Sequence, residues 1–140
     1  MKKIYLLFIL IFLNFSGYSQ TGMLNGTGYA PNFTVTDING TSHTLYDYLD
    51  SGYVTVLELL SVTCGHCIAY APGTENSYQT NGPNGTNVAR FLGLEVNSST
   101  DSTAIANFMS TYGVTMPIAD NVSPVGINYQ LYYTPSYFVV

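Results

Sequence analysis

The chain has 140 residues, with three Lys or Arg against eight Asp or Glu, and only 8% of its residues are charged. Its cations are Lys2, Lys3 and Arg90, so it lacks the clustered Lys and Arg that grip phosphate backbones, and nucleic acid is excluded as a partner. The length suits one domain able to bury its own core, and the 13 tyrosines are accounted for as amphipathic rings on strands and helix faces.

Lys2 and Lys3 precede the apolar run Ile4 to Leu13, and the small residues Gly17 and Ser19 suit a peptidase at the Ser19-Gln20 bond. Residues 1–19 therefore read as a signal peptide and the protein as exported, periplasmic or extracellular. An apolar run of about ten residues is short of the roughly 20 that span a bilayer, so no membrane attachment is expected once the signal is cleaved. Residues 20–29, rich in Gly and Thr, read as a flexible arm, and residues 30–140 as a single domain.

Phe33 and Val35 lie on a first short strand and Thr41 to Thr44 on a second, joined through Ile38-Asn39-Gly40, where Asn-Gly is a strong hairpin signal. Leu45 to Leu49 is expected to make one or two helical turns. Val54 to Leu60 is β-branched and apolar on both faces, the pattern of a central strand in a sheet covered on both sides, and Glu58 is the lone charge within it. Ile68 to Gln79 can be helical, with Pro72 predicting a kink or break.

Val88 to Val96 is the next apolar strand. Asp101-Ser102-Thr103 caps a helix to Tyr112, which Gly113 terminates. Met116 to Ile118 is extended, Pro124 to Gln130 is a short helix, and Tyr137 to Val140 is a last strand entered through Thr134-Pro135. Strands alternating with helices predict an α/β fold. His43, on the short second strand, reads as a plain surface residue.

The only two cysteines stand in Cys64-Gly65-His66-Cys67, where the apolar strand gives way to the helical segment. A helix beginning there would favour the Cys64 thiolate through its N-terminal N–H groups and macrodipole, with Cys67 one turn further in. The pair is compatible with dithiol–disulfide exchange, a static disulfide or a metal pair. A structural zinc site needs four ligands, and only His43 and His66 are at hand to help, which favours redox work without a metal or other cofactor. His66, between the two sulfurs, would favour the reduced form, and Glu58 could take a proton from Cys67 if buried beneath it.

From Ala30 to Val140 the chain resembles the thioredoxin superfamily. Cys64-Gly65-His66-Cys67 is the dipeptide variant typical of protein disulfide isomerases, Glu58 lies six residues before the first cysteine, and Pro72 lies five after the second. Thr134-Pro135 followed by Ser-Tyr-Phe-Val-Val resembles the cis-proline and the strand it opens. The unit Asn97 to Asn121 and the opening Ala30-Pro31-Asn32-Phe33 are similar to the secreted redoxin branch, the TlpA- and ResA-like oxidoreductases and the related peroxiredoxins.

The resemblance implies a thioredoxin-like fold, with a central mixed sheet flanked by helices and the closing strand and helix missing after Val140. It also implies a CxxC thiol–disulfide oxidoreductase acting on protein thiols and disulfides. Cys64, Cys67, Glu58 and His66 would be catalytic, Thr134 and Pro135 would bind the substrate backbone, and a membrane protein would be the candidate electron donor. The chain departs from the pattern in having Thr63 before the first cysteine, no Trp, and Asn97 where an acidic residue is usual.

Two other functions share parts of this pattern. A peroxiredoxin-type thiol peroxidase would have Thr three residues before its cysteine and Pro further upstream, where this chain has Ser61 and Leu57, and Arg90 would be its sole arginine. A copper-binding or redox-inert module of the Sco kind would have a wider cysteine spacing and a distal histidine, whereas no histidine follows His66.

Overall fold

The computed structural model describes residues 28–140; the predicted signal peptide and most of the arm lie outside them. Strands β1 (Thr34–Thr36) and β2 (Ser42–Thr44) form an antiparallel hairpin. Its turn is built by Asp37, whose carboxylate accepts the Asn39 and Thr41 N–H groups at 2.9 and 3.0 Å. Gly40, at φ 86°, supplies a conformation that a side chain would resist.

Helix α1 (Leu45–Asp50) leads into β3 (Val54–Leu60), followed by α2 (Gly65–Asn81) and β4 (Ala89–Glu95). Helix α3 (Ser102–Tyr112), β5 (Ile118–Ala119), α4 (Ser123–Asn128) and β6 (Ser136–Val139) complete the order. The main sheet runs β5-β4-β3-β6, with β3, β4 and β5 parallel and β6 antiparallel to β3. This is the expected α/β architecture with a mixed central sheet.

The two-residue period of a strand divides the core into two layers. Leu57 and Leu59 of β3 and Leu92 and Leu94 of β4 pack with Leu45 of α1 and Val125 of α4. Leu60 and Phe91 face the other way, with Cys67 and Ala71 of α2 and Ile105 and Phe108 of α3. Glu58 lies between Val56 and Leu60, both in this second layer, so its side chain points toward α2.

Helix α3 is capped as its sequence predicts: the Asp101 carboxylate accepts the Ala104 N–H at 2.8 Å, and Gly113 ends the helix at φ 68°. Of the kink or break expected at Pro72, the break does not occur, and helix α2 runs through it. Proline removes only its own N–H, and the face formed by Cys67, Ala71 and Thr74 is buried on both sides of it, so packing holds the two halves in one helix. His43 differs from expectation. It is 7% exposed, its Nε2 is 2.9 Å from Asp37 Oδ2 and its Nδ1 2.5 Å from the Tyr48 hydroxyl. A polar ring between two partners can be buried, which hydropathy along a three-residue strand does not reveal.

Glu75 ties α2 to the segment before β5. Its carboxylate accepts the Thr115 and Met116 N–H groups at 2.7 and 3.2 Å and the Thr115 hydroxyl at 2.5 Å. Partial burial disfavours its charge, but the bonds from Thr115, Gln79 and Met116 prevail and lower its pKa below 4.5. A depressed carboxylate contributes stability above its unfolded pKa and loses it as pH falls through the folded value. Glu75→Gln is therefore expected to cost about 1–2 kcal/mol at pH 7 and less than that at pH 3, measured by urea unfolding at the two pH values.

Candidate active site

Cys64 is the N-cap of α2, and a tight turn after β3 delivers it there. The Cys64 N–H donates to the Ser61 carbonyl at 2.9 Å, and the Ser61 and Thr63 hydroxyls lie 3.0 Å apart. Glu95, at the end of β4, fixes the same turn. Its Oε2 accepts the Val62 N–H at 2.7 Å and its Oε1 the Asn97 N–H at 2.8 Å.

The acidic group at this strand end is thus Glu95, fully buried, two residues before the Asn97 that stands where an acidic residue is usual. Burial pushes its pKa up against those two donors. A lone charge in an apolar strand was the signal that marked Glu58, and the same signal stands in Phe91-Leu92-Gly93-Leu94-Glu95.

The two cysteines are chemically unlike. Cys64 is half-buried and Cys67 wholly buried, and both are free thiols. The Cys64 thiol is pulled down to about 7, first by a hydrogen bond from the Thr134 side chain and next by the Cys67 backbone N–H, with a smaller contribution from the His66 N–H. In the thiol form Cys64 Sγ donates to the Thr134 carbonyl at 3.4 Å. Burial pushes Cys67 up to about 12, and its sulfur accepts the Ser61 N–H at 3.5 Å. Near neutral pH one sulfur is available as thiolate while the other keeps its proton.

The predicted residues divide by position. Thr134 and Pro135 stand beside Cys64, and the Thr134-Pro135 peptide bond is cis. Glu58 is 3% exposed, and burial raises its pKa to about 7 against a bond from the Tyr137 hydroxyl. The His66 side chain is exposed, and its backbone N–H adds only the small contribution to the Cys64 thiolate already given.

Arg90 lies elsewhere. It pairs in register with Thr55 near the start of β3, and its guanidinium stacks 3.5 Å over the Tyr53 ring, whereas Cys64 follows the opposite end of that strand. Among the described residues no three His, Cys, Asp or Glu side chains converge as metal ligands, and none of the helices is long and apolar enough to cross a membrane.

Residues 28–140 match the AhpC/TSA family model. The chain belongs to the AhpC/TSA family. No curated protein matches it. Among solved structures, this AhpC/TSA chain is similar to a putative protein disulfide isomerase from Bacteroides thetaiotaomicron, at 22% identity and a TM-score of 0.71 over 87% of this chain and 76% of that one. It is also similar to a secreted Mycobacterium tuberculosis disulfide oxidoreductase homologous to E. coli DsbE, at 20% identity and a TM-score of 0.63 over 77% and 81% of the two chains. StoA from Bacillus subtilis matches at 18% identity and a TM-score of 0.63 over 80% and 81%. These likenesses establish a thioredoxin-like fold for the AhpC/TSA domain seen here.

Proposed function

We propose that this AhpC/TSA protein is an exported thiol–disulfide oxidoreductase that exchanges disulfides with protein substrates through Cys64 and Cys67. The observation that carries the reading is the asymmetry of the pair: an accessible Cys64 at a helix N-terminus with its pKa lowered to about 7, above a buried Cys67 held as a thiol.

The Cys64 thiolate attacks a substrate disulfide, forming a mixed disulfide and releasing one substrate thiolate. Glu58 takes the Cys67 proton, and the Cys67 sulfur attacks Cys64 Sγ. The Cys64–substrate bond breaks, the substrate leaves reduced, and the two cysteines are left oxidised. Thr134 and Pro135 receive the extended backbone of the substrate, and the His66 ring favours the reduced form of the pair. The disulfide oxidoreductase and isomerase among the similar structures support this reading, as does the export signal predicted at residues 1–19.

The distance of Arg90 from Cys64 favours dithiol exchange over the peroxidase alternative, because a peroxidatic thiolate is helped by a cation at the reacting oxygens. His43 spends both ring nitrogens on Asp37 and Tyr48, which weighs against a copper-binding module. Insulin reduction driven by dithiothreitol tests the proposal. The wild-type protein is expected to accelerate precipitation of the insulin B chain and Cys64→Ser to give the uncatalysed rate; a wild-type protein no faster than dithiothreitol alone would overturn it.

A further inference from the structure

Glu58 and Tyr137 are direct cross-strand partners of β3 and β6, so their side chains share the face covered by α2. The Tyr137 hydroxyl donates to Glu58 Oε1 at 2.8 Å and lies 2.7 Å from the Thr74 hydroxyl. Thr74 lies two turns along α2 from Cys67 and is 3.4 Å from the Tyr70 carbonyl. Tyr70, Gly73, Thr74, Ser77 and Tyr137 line an open groove of about 270 Å³. An otherwise buried carboxyl is therefore joined to the α2 flank, rather than to the surface at Cys64, through Tyr137, which is 42% exposed, and Thr74, which is 9% exposed where it lines the groove.

We propose that Tyr137 and Thr74 form a two-hydroxyl proton conduit between the Glu58 carboxyl and solvent in this groove. The proposal rests on Glu58 accepting the Cys67 proton. With Glu58 ionised, Thr74 donates to Tyr137 and Tyr137 to Glu58. Once Glu58 holds the Cys67 proton, the two hydroxyls turn outward, Tyr137 toward Thr74 and Thr74 toward the Tyr70 carbonyl and the groove. Glu58 then passes its proton to the Tyr137 oxygen, the Tyr137 proton moves to Thr74 Oγ1, and the Thr74 proton leaves to water. No charge stays on either hydroxyl, Glu58 is again a carboxylate, and the transfer itself returns both hydroxyls to their starting orientation.

Tyr137 remains a neutral hydroxyl throughout, since burial holds its pKa far above neutrality. The other titratable groups on this face are Cys64, Cys67, Tyr70 and Tyr78 beside α2 and Glu95 at the end of β4. The conduit lets the substrate cover Cys64 without trapping the proton, because the exit is on a different surface.

The test is the rate at which a chromophoric thiol is released from its mixed disulfide with Cys64, followed against pH in H2O and D2O for the full-length protein and for Glu58→Gln, Tyr137→Phe, Thr74→Val and Thr74→Ser. Tyr137→Phe removes the donor to the carboxylate and breaks the conduit at its first hydroxyl, so it is expected both to move the rate profile up by about one pH unit and to slow release about tenfold. Thr74→Val leaves that donor in place but cuts the exit, and is expected to slow release about tenfold with a larger solvent isotope effect, while Thr74→Ser restores the rate. Profiles for Tyr137→Phe and Thr74→Val that superimpose on wild type, with Glu58→Gln still impaired, would overturn the conduit alone. A Glu58→Gln profile matching wild type would overturn both the conduit and the role of Glu58.

Discussion

Glu58→Gln is expected to stabilise the protein at pH 8 while impairing its redox cycle. A carboxyl whose pKa rises from 4.5 unfolded to about 7 folded costs folding free energy wherever it is ionised. The sign follows from linkage: below about pH 4.5 both states are protonated and the cost is absent. It grows through the interval up to about pH 7 and is complete above it.

At about 1.4 kcal/mol for each pH unit, the full cost is about 3 kcal/mol. Glutamine keeps the shape and can still accept the Tyr137 hydroxyl but never ionises. Urea unfolding at pH 8 should show Glu58→Gln more stable by about 2–3 kcal/mol, with a difference near zero at pH 4. Equal stability at both pH values would mean that Glu58 is not buried as a carboxylate. The same substitution should slow mixed-disulfide release by about a hundredfold, the lower range for general base catalysis. Tolerating an expensive ionisable group in the α2 layer is intelligible if its proton affinity serves the chemistry.

The second large effect concerns the cysteines individually. Thiolate absorbance of the reduced protein should titrate with a midpoint near pH 7 for Cys64, and the transition should vanish in Cys64→Ser. In Cys67→Ser the attack on substrate is intact but no second sulfur can displace it, so the mixed disulfide should persist and be detectable by intact-protein mass spectrometry. In the wild-type protein it should decay at least a thousandfold faster, in line with the advantage of an intramolecular nucleophile. A Cys67→Ser protein that releases substrate at the wild-type rate would show that Cys67 is not the resolving group. A Cys64 midpoint moved back up toward that of a free thiol in Thr134→Val would attribute the lowered pKa to the Thr134 hydroxyl rather than to the helix terminus.

What was legible from the sequence were features that depend on near neighbours along the chain. The hairpin around Gly40, the cap at Asp101 and the stop at Gly113 each arise from a residue's own backbone preference or a bond to a residue three or four positions away. Val54 to Leu60 declared a doubly covered strand by being apolar on both faces, and Cys64 and Cys67 stood where that strand gives way to a helical segment read from Ile68, which the structure begins at Gly65. The alternation of strands and helices gave the α/β class, and the thioredoxin-like fold was what the resemblance carried by Glu58, Cys64-Gly65-His66-Cys67, Pro72 and Thr134-Pro135 implied.

What only the tertiary structure decided involves partners far apart in the chain. Burial of His43 is nearer to local, since Asp37 and Tyr48 lie only six and five residues away, but it needs the hairpin turn and α1 brought to the two sides of the ring, which hydropathy does not mark. Continuity of α2 through Pro72 depends on the sheet beneath Cys67, Ala71 and Thr74. Glu95 gains its place at the Cys64 turn through Val62, 33 residues earlier. Glu58 meets Tyr137 across 79 residues, because β6 happens to lie antiparallel beside β3 in that register. Sequence alone therefore offered Cys64, Cys67, Glu58, His66, Thr134 and Pro135 as candidates for the chemistry, without Tyr137 and Thr74 beside Glu58. Strand pairing decided their proton affinities and their route to solvent, since desolvation and hydrogen bonding are properties of the assembled layers.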